Sequence, residues 1–130
     1  LLFYSPALLP AQLRTEPCSQ MDILPSVAAL AKQSFINSSL GRNLFDTTLH
    51  NKEHYAFIAD PDTRFIGMVS SKYYFGTNAS TGAREFVSVT GNKQVPQTPA
   101  TDSIKATMAA LTNGFYEISK YMLLNNKKRN

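Results

Sequence analysis

The chain has 130 residues, 43% of them apolar and 17% charged, which is room for one modest core and too little charge for a chain held open by self-repulsion. Its formal net charge of +4 does not point to nucleic acid, because Lys127, Lys128 and Arg129 supply much of the excess in a short tail and the other basic residues are scattered. The single cysteine, Cys18, excludes an internal disulfide, and no run approaches the ~18 apolar residues of a membrane span.

Leu1-Leu2-Phe3-Tyr4 is an apolar run closed by Ser5-Pro6, the pattern of a strand buried on both faces. It carries no basic n-region and so is not a signal peptide. With no initiating methionine ahead of it, such a start reads as cut from something larger. Pro6, Pro10 and Pro17 keep residues 5–18 out of helix, since each lacks a donor and biases its predecessor towards extended backbone.

A first helix is expected over residues 21–33. Ser19 or Asp22 can cap it, Asp22 complements the positive end of the dipole, and Pro25 is tolerable in the first turn. Ile23, Val27, Leu30 and Ala31 recur at helical spacing as its buried stripe. Gly41 follows the polar Asn37-Ser38-Ser39 exit, and Leu44-Phe45 returns to the core.

The middle reads as antiparallel strands at residues 55–59 and 64–69, joined by a tight turn over Asp60-Pro61-Asp62-Thr63. Lys72-Tyr73-Tyr74-Phe75 extends the second or opens a third, residues 76–82 form a polar loop, and residues 84–89 form a further strand. After Pro96 and Pro99, Thr101 or Asp102 caps a second helix over residues 103–125, with Ile104, Met108, Leu111, Phe115, Ile118 and Met122 as its apolar stripe. Gly114 within it calls for a close packing contact, because glycine costs about 1 kcal/mol against alanine there.

Chemistry-bearing residues are few. His50 and His54, with Glu53 between them and Asp46 before, have metal-ligand spacing only if helical, and the stretch favours a loop. Asp60 and Asp62 flank a proline and suit turn formation better than acid–base work. Cys18 has no histidine near it in sequence, so a small half-buried residue is the better reading. Tyr73, Tyr74 and Phe75 beside Lys72 suit a cross-strand cluster better than base stacking. There is no nucleophile elbow, phosphate loop or dinucleotide fingerprint. No catalytic, cofactor-binding or metal-binding residue is assigned within the chain.

The order Leu1-Leu2-Phe3-Tyr4-Ser5-Pro6, then Asp22-Ile23-Leu24-Pro25-Ser26, then Gly41-Arg42-Asn43-Leu44 resembles the end of a sulfatase-type catalytic domain. It is most similar to the lipoteichoic acid synthase group of phosphoglycerol transferases. The likeness is good over residues 1–50, loose over 55–75 and weak beyond. Ser26 stands where threonine is usual, and Ala31 near where many members have glycine.

The resemblance implies an α/β fold, the C-terminal part of an alkaline-phosphatase-like domain with a small antiparallel sheet and a C-terminal helix. Residues 1–50 would close the core, and residues 51–130 would form the antiparallel subdomain. It further implies a membrane-anchored parent enzyme with an extracytoplasmic domain, periplasmic or at the surface of a bacterial cell, acting on phosphate or sulfate esters such as phospholipid. There a hydroxyl nucleophile, commonly threonine, would be activated by a divalent metal (manganese, magnesium, zinc or calcium) acting as Lewis acid. The nucleophile and metal ligands of that family lie upstream of such a segment, so this portion would be inactive alone, without a cofactor of its own. Its partners would be the rest of the catalytic domain and, through exposed apolar surface, a second copy. Two other classes share the order helix, meander, helix: an extracytoplasmic PAS-like ligand sensor and a longin-like trafficking subunit.

Overall fold

Alternation along the middle of the chain resolves into four strands: β1 (Ala56–Asp60), β2 (Phe65–Val69), β3 (Tyr73–Asn78) and β4 (Arg84–Ser88). They form one antiparallel sheet in the order β1-β2-β3-β4. The computed structural model describes residues 1–49, 52–91 and 94–125. These divide into two units, Leu1–Lys52 and Glu53–Asn130.

In the second unit the register pairs Phe57 with Met68, Met68 with Phe75 and Phe75 with Phe86. Because side chains alternate across a sheet, these four share one face. A long helix, α2 (Pro99–Asn125), covers that face. Met68, Phe75 and Met108 are its buried centre, and Tyr55, Tyr73, Ala109 and Phe115 pack around them. Phe57 stacks on Phe115 at 5.0 Å between ring centroids, and Tyr73 on Phe86 at 5.1 Å.

Helix α2 begins four residues earlier than its pattern predicts. Thr98 is the cap: its Oγ1 accepts from the Thr101 N–H at 3.2 Å, and its own N–H donates to Thr101 Oγ1 at 2.9 Å. Pro99 then occupies the first helical position, where its missing N–H costs nothing. Its buried stripe is also narrower than expected. Met108 and Thr112 are buried, whereas Ile104, Leu111 and Ile118 are exposed. Gly114 has no neighbour within 4 Å of an added Cβ, so the close contact expected there does not exist among the described residues.

Residues 76–78 belong to β3 and not to a loop. Gly76 lies between Gly67 and Glu85 in register, and the Tyr74 ring lies across both glycines. A Cβ on Gly67 would meet Tyr74 Cε2 at 2.7 Å, and one on Gly76 would meet the Tyr74 oxygen at 2.4 Å. The glycines are strand residues whose place is taken by a neighbour's ring.

In the first unit a 3-10 turn (Gln20–Asp22) runs into α1 (Ile23–Leu30). Pro25 sits in the first turn of α1, as its chemistry requires. The exit passes through Lys32 at φ 54°, a left-handed residue of the kind that ends helices.

Two expectations fail in this unit. Residues 1–4 lie outside any strand, with Leu1, Leu2 and Tyr4 exposed. Phe3 instead meets Phe45 edge-on at 5.2 Å. The second expectation, the stripe on α1, fails in half: Ile23 and Leu30 are half-buried, but Val27 (46% exposed) and Ala31 face solvent. The fully buried positions are Asp22, Pro25 and Ser26, and Leu24 (62%) also lies outside.

Candidate functional site

Two arrangements carry the chemically capable residues of the described chain, one in each unit. The first joins Asp22-Ile23-Leu24-Pro25-Ser26 to Gly41-Arg42-Asn43-Leu44. The Asp22 carboxylate accepts from the Ser19 N–H at 2.8 Å through one oxygen and from the Arg42 N–H at 2.9 Å through the other. One helical turn on, Ser26 Oγ donates to the Asp22 carbonyl at 2.6 Å and accepts from the Leu44 N–H at 2.9 Å. The Arg42 side chain donates to the Pro17 carbonyl at 2.5 Å and holds its Nε 4.0 Å from Asp22. Arg14 donates to the Leu44 carbonyl.

Gly41 makes the clasp possible, because a Cβ there would stand 1.9 Å from the Met21 carbonyl oxygen. Upstream of it, Asn37 donates to the Gly41 carbonyl at 2.8 Å and accepts from Ser39. The Asp22 carboxylate serves backbone donors and the Ser26 hydroxyl is engaged as both donor and acceptor. This chemistry holds a chain reversal; it leaves no activated nucleophile.

The second arrangement lies on the sheet face turned away from α2. A shallow groove of about 400 Å³ is lined by Ile58, Asp60, Thr63, Phe65, Tyr74 and Glu85. The Tyr74 phenol is pushed up to about 12 by burial, by its hydrogen bond with Glu85 and by the charges of Glu85 and Asp60. At neutral pH it therefore stays protonated, a donor and not a nucleophile. Asp60 is held below the usual carboxylate range, first by the Thr63 hydroxyl at 2.6 Å and then by the Asp62 N–H at 3.0 Å. Its oxygens shape the turn, as its position beside Pro61 predicts.

His50 lies outside the described residues, as do Lys127, Lys128 and Arg129. Asp46 accepts from the Thr48 N–H and hydroxyl at 2.9 and 2.7 Å, and Glu53 accepts from Ser71 Oγ at 3.0 Å. Among the described residues no three His, Cys, Asp or Glu side chains gather as metal ligands. Cys18 is exposed. Tyr73 and Phe75 lie beneath α2 and Tyr74 on the opposite face, so they offer no common stacking platform.

The groove escaped the sequence reading. Its signal was the pair of glycines at matched register with a tyrosine two residues before the second. No helix among the described residues is long and apolar enough to cross a membrane. No family model, no curated protein and no solved structure matches this chain.

Proposed function

We propose that this chain is the C-terminal, non-catalytic portion of a sulfatase-type hydrolase or phosphoglycerol transferase of the alkaline phosphatase superfamily. It buttresses a catalytic domain that acts, outside the cytoplasmic membrane, on phosphate or sulfate esters of the cell envelope. The observation that carries this reading is the outward turn of Leu24 and Val27 on α1. A helix that hides Asp22 and Ser26 and turns Leu24 and Val27 outward has its apolar partner elsewhere. Leu1, Leu2, Tyr4, Leu8 and Leu13 are exposed in the same unit, further apolar surface that the chain does not cover by itself. The motif order supplies the family, and the clasp gives both shared motifs a common architectural task.

A divalent metal would supply Lewis-acid chemistry to the parent. The described residues present no donor set for it, so no step is assigned to this chain.

The test is the reading frame ahead of Leu1. An Asp-His-Gly-like stretch within a few tens of codons, preceded by membrane spans, is expected. Chain produced with that segment should hydrolyse an aryl phosphodiester or aryl sulfate with Mn²⁺ and should no longer bind a hydrophobic dye. The chain alone should bind the dye and turn over neither ester. An upstream frame without acidic or histidine ligands, or dye binding absent from the chain alone, overturns the reading.

A further inference from the structure

The strongest unassigned feature lies wholly within the second unit and stands apart from the enzyme reading. Along one flank of α2, Ile104, Leu111 and Ile118 recur every seven residues. Thr107, Gly114 and Tyr121 recur every seven, three positions later. This is the a/d alternation of a helix seam. The face that packs on the sheet is a different one, centred on Met108, Thr112 and Phe115. The fold gives Gly114 no use, since a Cβ there meets nothing within 4 Å and glycine is disfavoured inside a helix.

We infer that this flank is a seam between two copies of this chain, with their α2 helices antiparallel about a two-fold axis between Thr112 and Asn113. In that register each a position faces a d position of the other copy. Leu111 then enters the gap left by Gly114, Ile118 meets Thr107, and Ile104 meets Tyr121. Large faces small at the centre, twice over, as a two-fold interface requires. The Thr107 hydroxyl already donates to the Ser103 carbonyl at 3.0 Å, so it brings no unmet donor to the seam.

Charge fits the same arrangement. The outer edge of the seam carries Ser103, Ala110, Glu117 and Leu124, so the one charge there, Glu117, faces Ala110 and no like charges meet. Glu117 is already paired with Lys120 at 3.1 Å on its own helix.

The area suffices. Ile104, Leu111, Ile118, Tyr121 and Leu124 are 36, 39, 49, 67 and 70% exposed. With side chains of about 200 Å² each, that leaves about 500 Å² of surface per copy. The pair would remove about 1,000 Å² before the small residues are counted, the size at which a specific interface begins.

The test is sedimentation of the full chain across micromolar to sub-millimolar concentrations. The native chain should be a dimer. Gly114→Leu, which fills the gap, should weaken it at least tenfold while leaving the helical signal intact and the monomer no less heat-stable. In a Cys18→Ser background, Leu111→Cys and Gly114→Cys chains mixed in equal amounts and oxidised should form the mixed disulfide well above the statistical half. A native chain that stays monomeric overturns the inference, as it would if this flank were covered by another part of a longer polypeptide or by a different protein. So does a dimer indifferent to Gly114→Leu, or statistical disulfides.

Discussion

Gly41→Ala and Gly114→Ala are the same chemical change with opposite expected signs. At position 41 the new methyl would lie 1.9 Å from the Met21 carbonyl oxygen, 2.5 Å from its carbon and 3.1 Å from the Asp22 nitrogen. All three are backbone atoms, so no side chain can swing aside. Relief to an ordinary contact of about 3.5 Å requires the returning segment to move by roughly 1.5 Å. The Arg42 N–H to Asp22 and Leu44 N–H to Ser26 bonds, both 2.9 Å, do not survive such a shift. Overpacking costs about 1–3 kcal/mol and an orphaned buried group about 1–3 kcal/mol more, so a loss of about 3–5 kcal/mol is expected in the first unit. At position 114 nothing within the described chain lies within 4 Å, so at a dilution that keeps the chain monomeric alanine should add about 1 kcal/mol through helix propensity, or roughly 4–8 °C for a unit of this size. Amide hydrogen exchange reads both changes residue by residue. In Gly41→Ala the Arg42 and Leu44 amides should exchange at least a hundredfold faster, with α2 untouched. Unchanged protection at those two amides would refute the clasp as the device that holds this reversal.

Three further outcomes follow from single groups. Tyr74 has its folded pKa raised from 10.0 to about 12, so the native sheet holds its proton more tightly than the unfolded chain does. The stabilisation is fully present below pH 10 and is lost as pH rises towards 12. Denaturation midpoints measured over that window should fall for the native chain and fall less steeply in Tyr74→Phe, where Tyr55, also raised by burial and by Glu53, still contributes. Thr112 Oγ1 is the one buried side-chain polar atom without a hydrogen-bond partner among the described residues; Thr112→Val keeps the shape and removes the unmet group, and should raise stability by about 1 kcal/mol in urea unfolding. Arg64 stands at φ 57° in the β1–β2 turn, where glycine carries no Cβ penalty, so Arg64→Gly should stabilise by up to about 1 kcal/mol in the same assay.

The sheet was legible because alternation reports which residues share a face. Phe57, Met68, Phe75 and Phe86 fall into one row by register alone. Gly76 was not legible, since a glycine followed by threonine and asparagine has the composition of a turn. Only the Tyr74 ring lying over Gly67 and Gly76 explains why a strand continues there. In α1, spacing showed correctly that Ile23 and Val27 line up, but Asp22 and Ser26 line up as well. Which stripe faces inward is decided by hydrogen bonds to a segment some twenty residues away, and periodicity contains no trace of them. The Thr98 cap was hidden for a similar reason: Pro99 looked like a break, whereas a proline after threonine also opens a helix. The groove site was invisible because its members come from four strands and one turn.

The clasp also decides how the motif likeness is to be used. An Asp in a stretch that resembles metal-dependent enzymes invites assignment as a ligand, yet Asp22 is buried with both oxygens taken by backbone N–H groups and the Arg42 guanidinium beside it. A carboxylate so held serves as a fixed acceptor, because freeing it for a cation would orphan two donors at about 1–3 kcal/mol each. The Ser26 hydroxyl, 2.6 Å from its acceptor, the Asp22 carbonyl, and 2.9 Å from its donor, the Leu44 N–H, is in the same position with respect to nucleophilic attack. What the two motifs do together is aim α1. Tying Asp22 and Ser26 to Gly41-Arg42-Asn43-Leu44 leaves Leu24 and Val27 on the outside, so two hydrogen bonds of 2.9 Å to the returning segment help set the orientation of that apolar pair. Asp22→Ala should therefore release α1 to roll its leucine and valine inward, and dye binding by the isolated chain should fall even as the unit loses stability. Dye binding that rises or stays constant would mean that the apolar side is exposed for some reason other than the clasp.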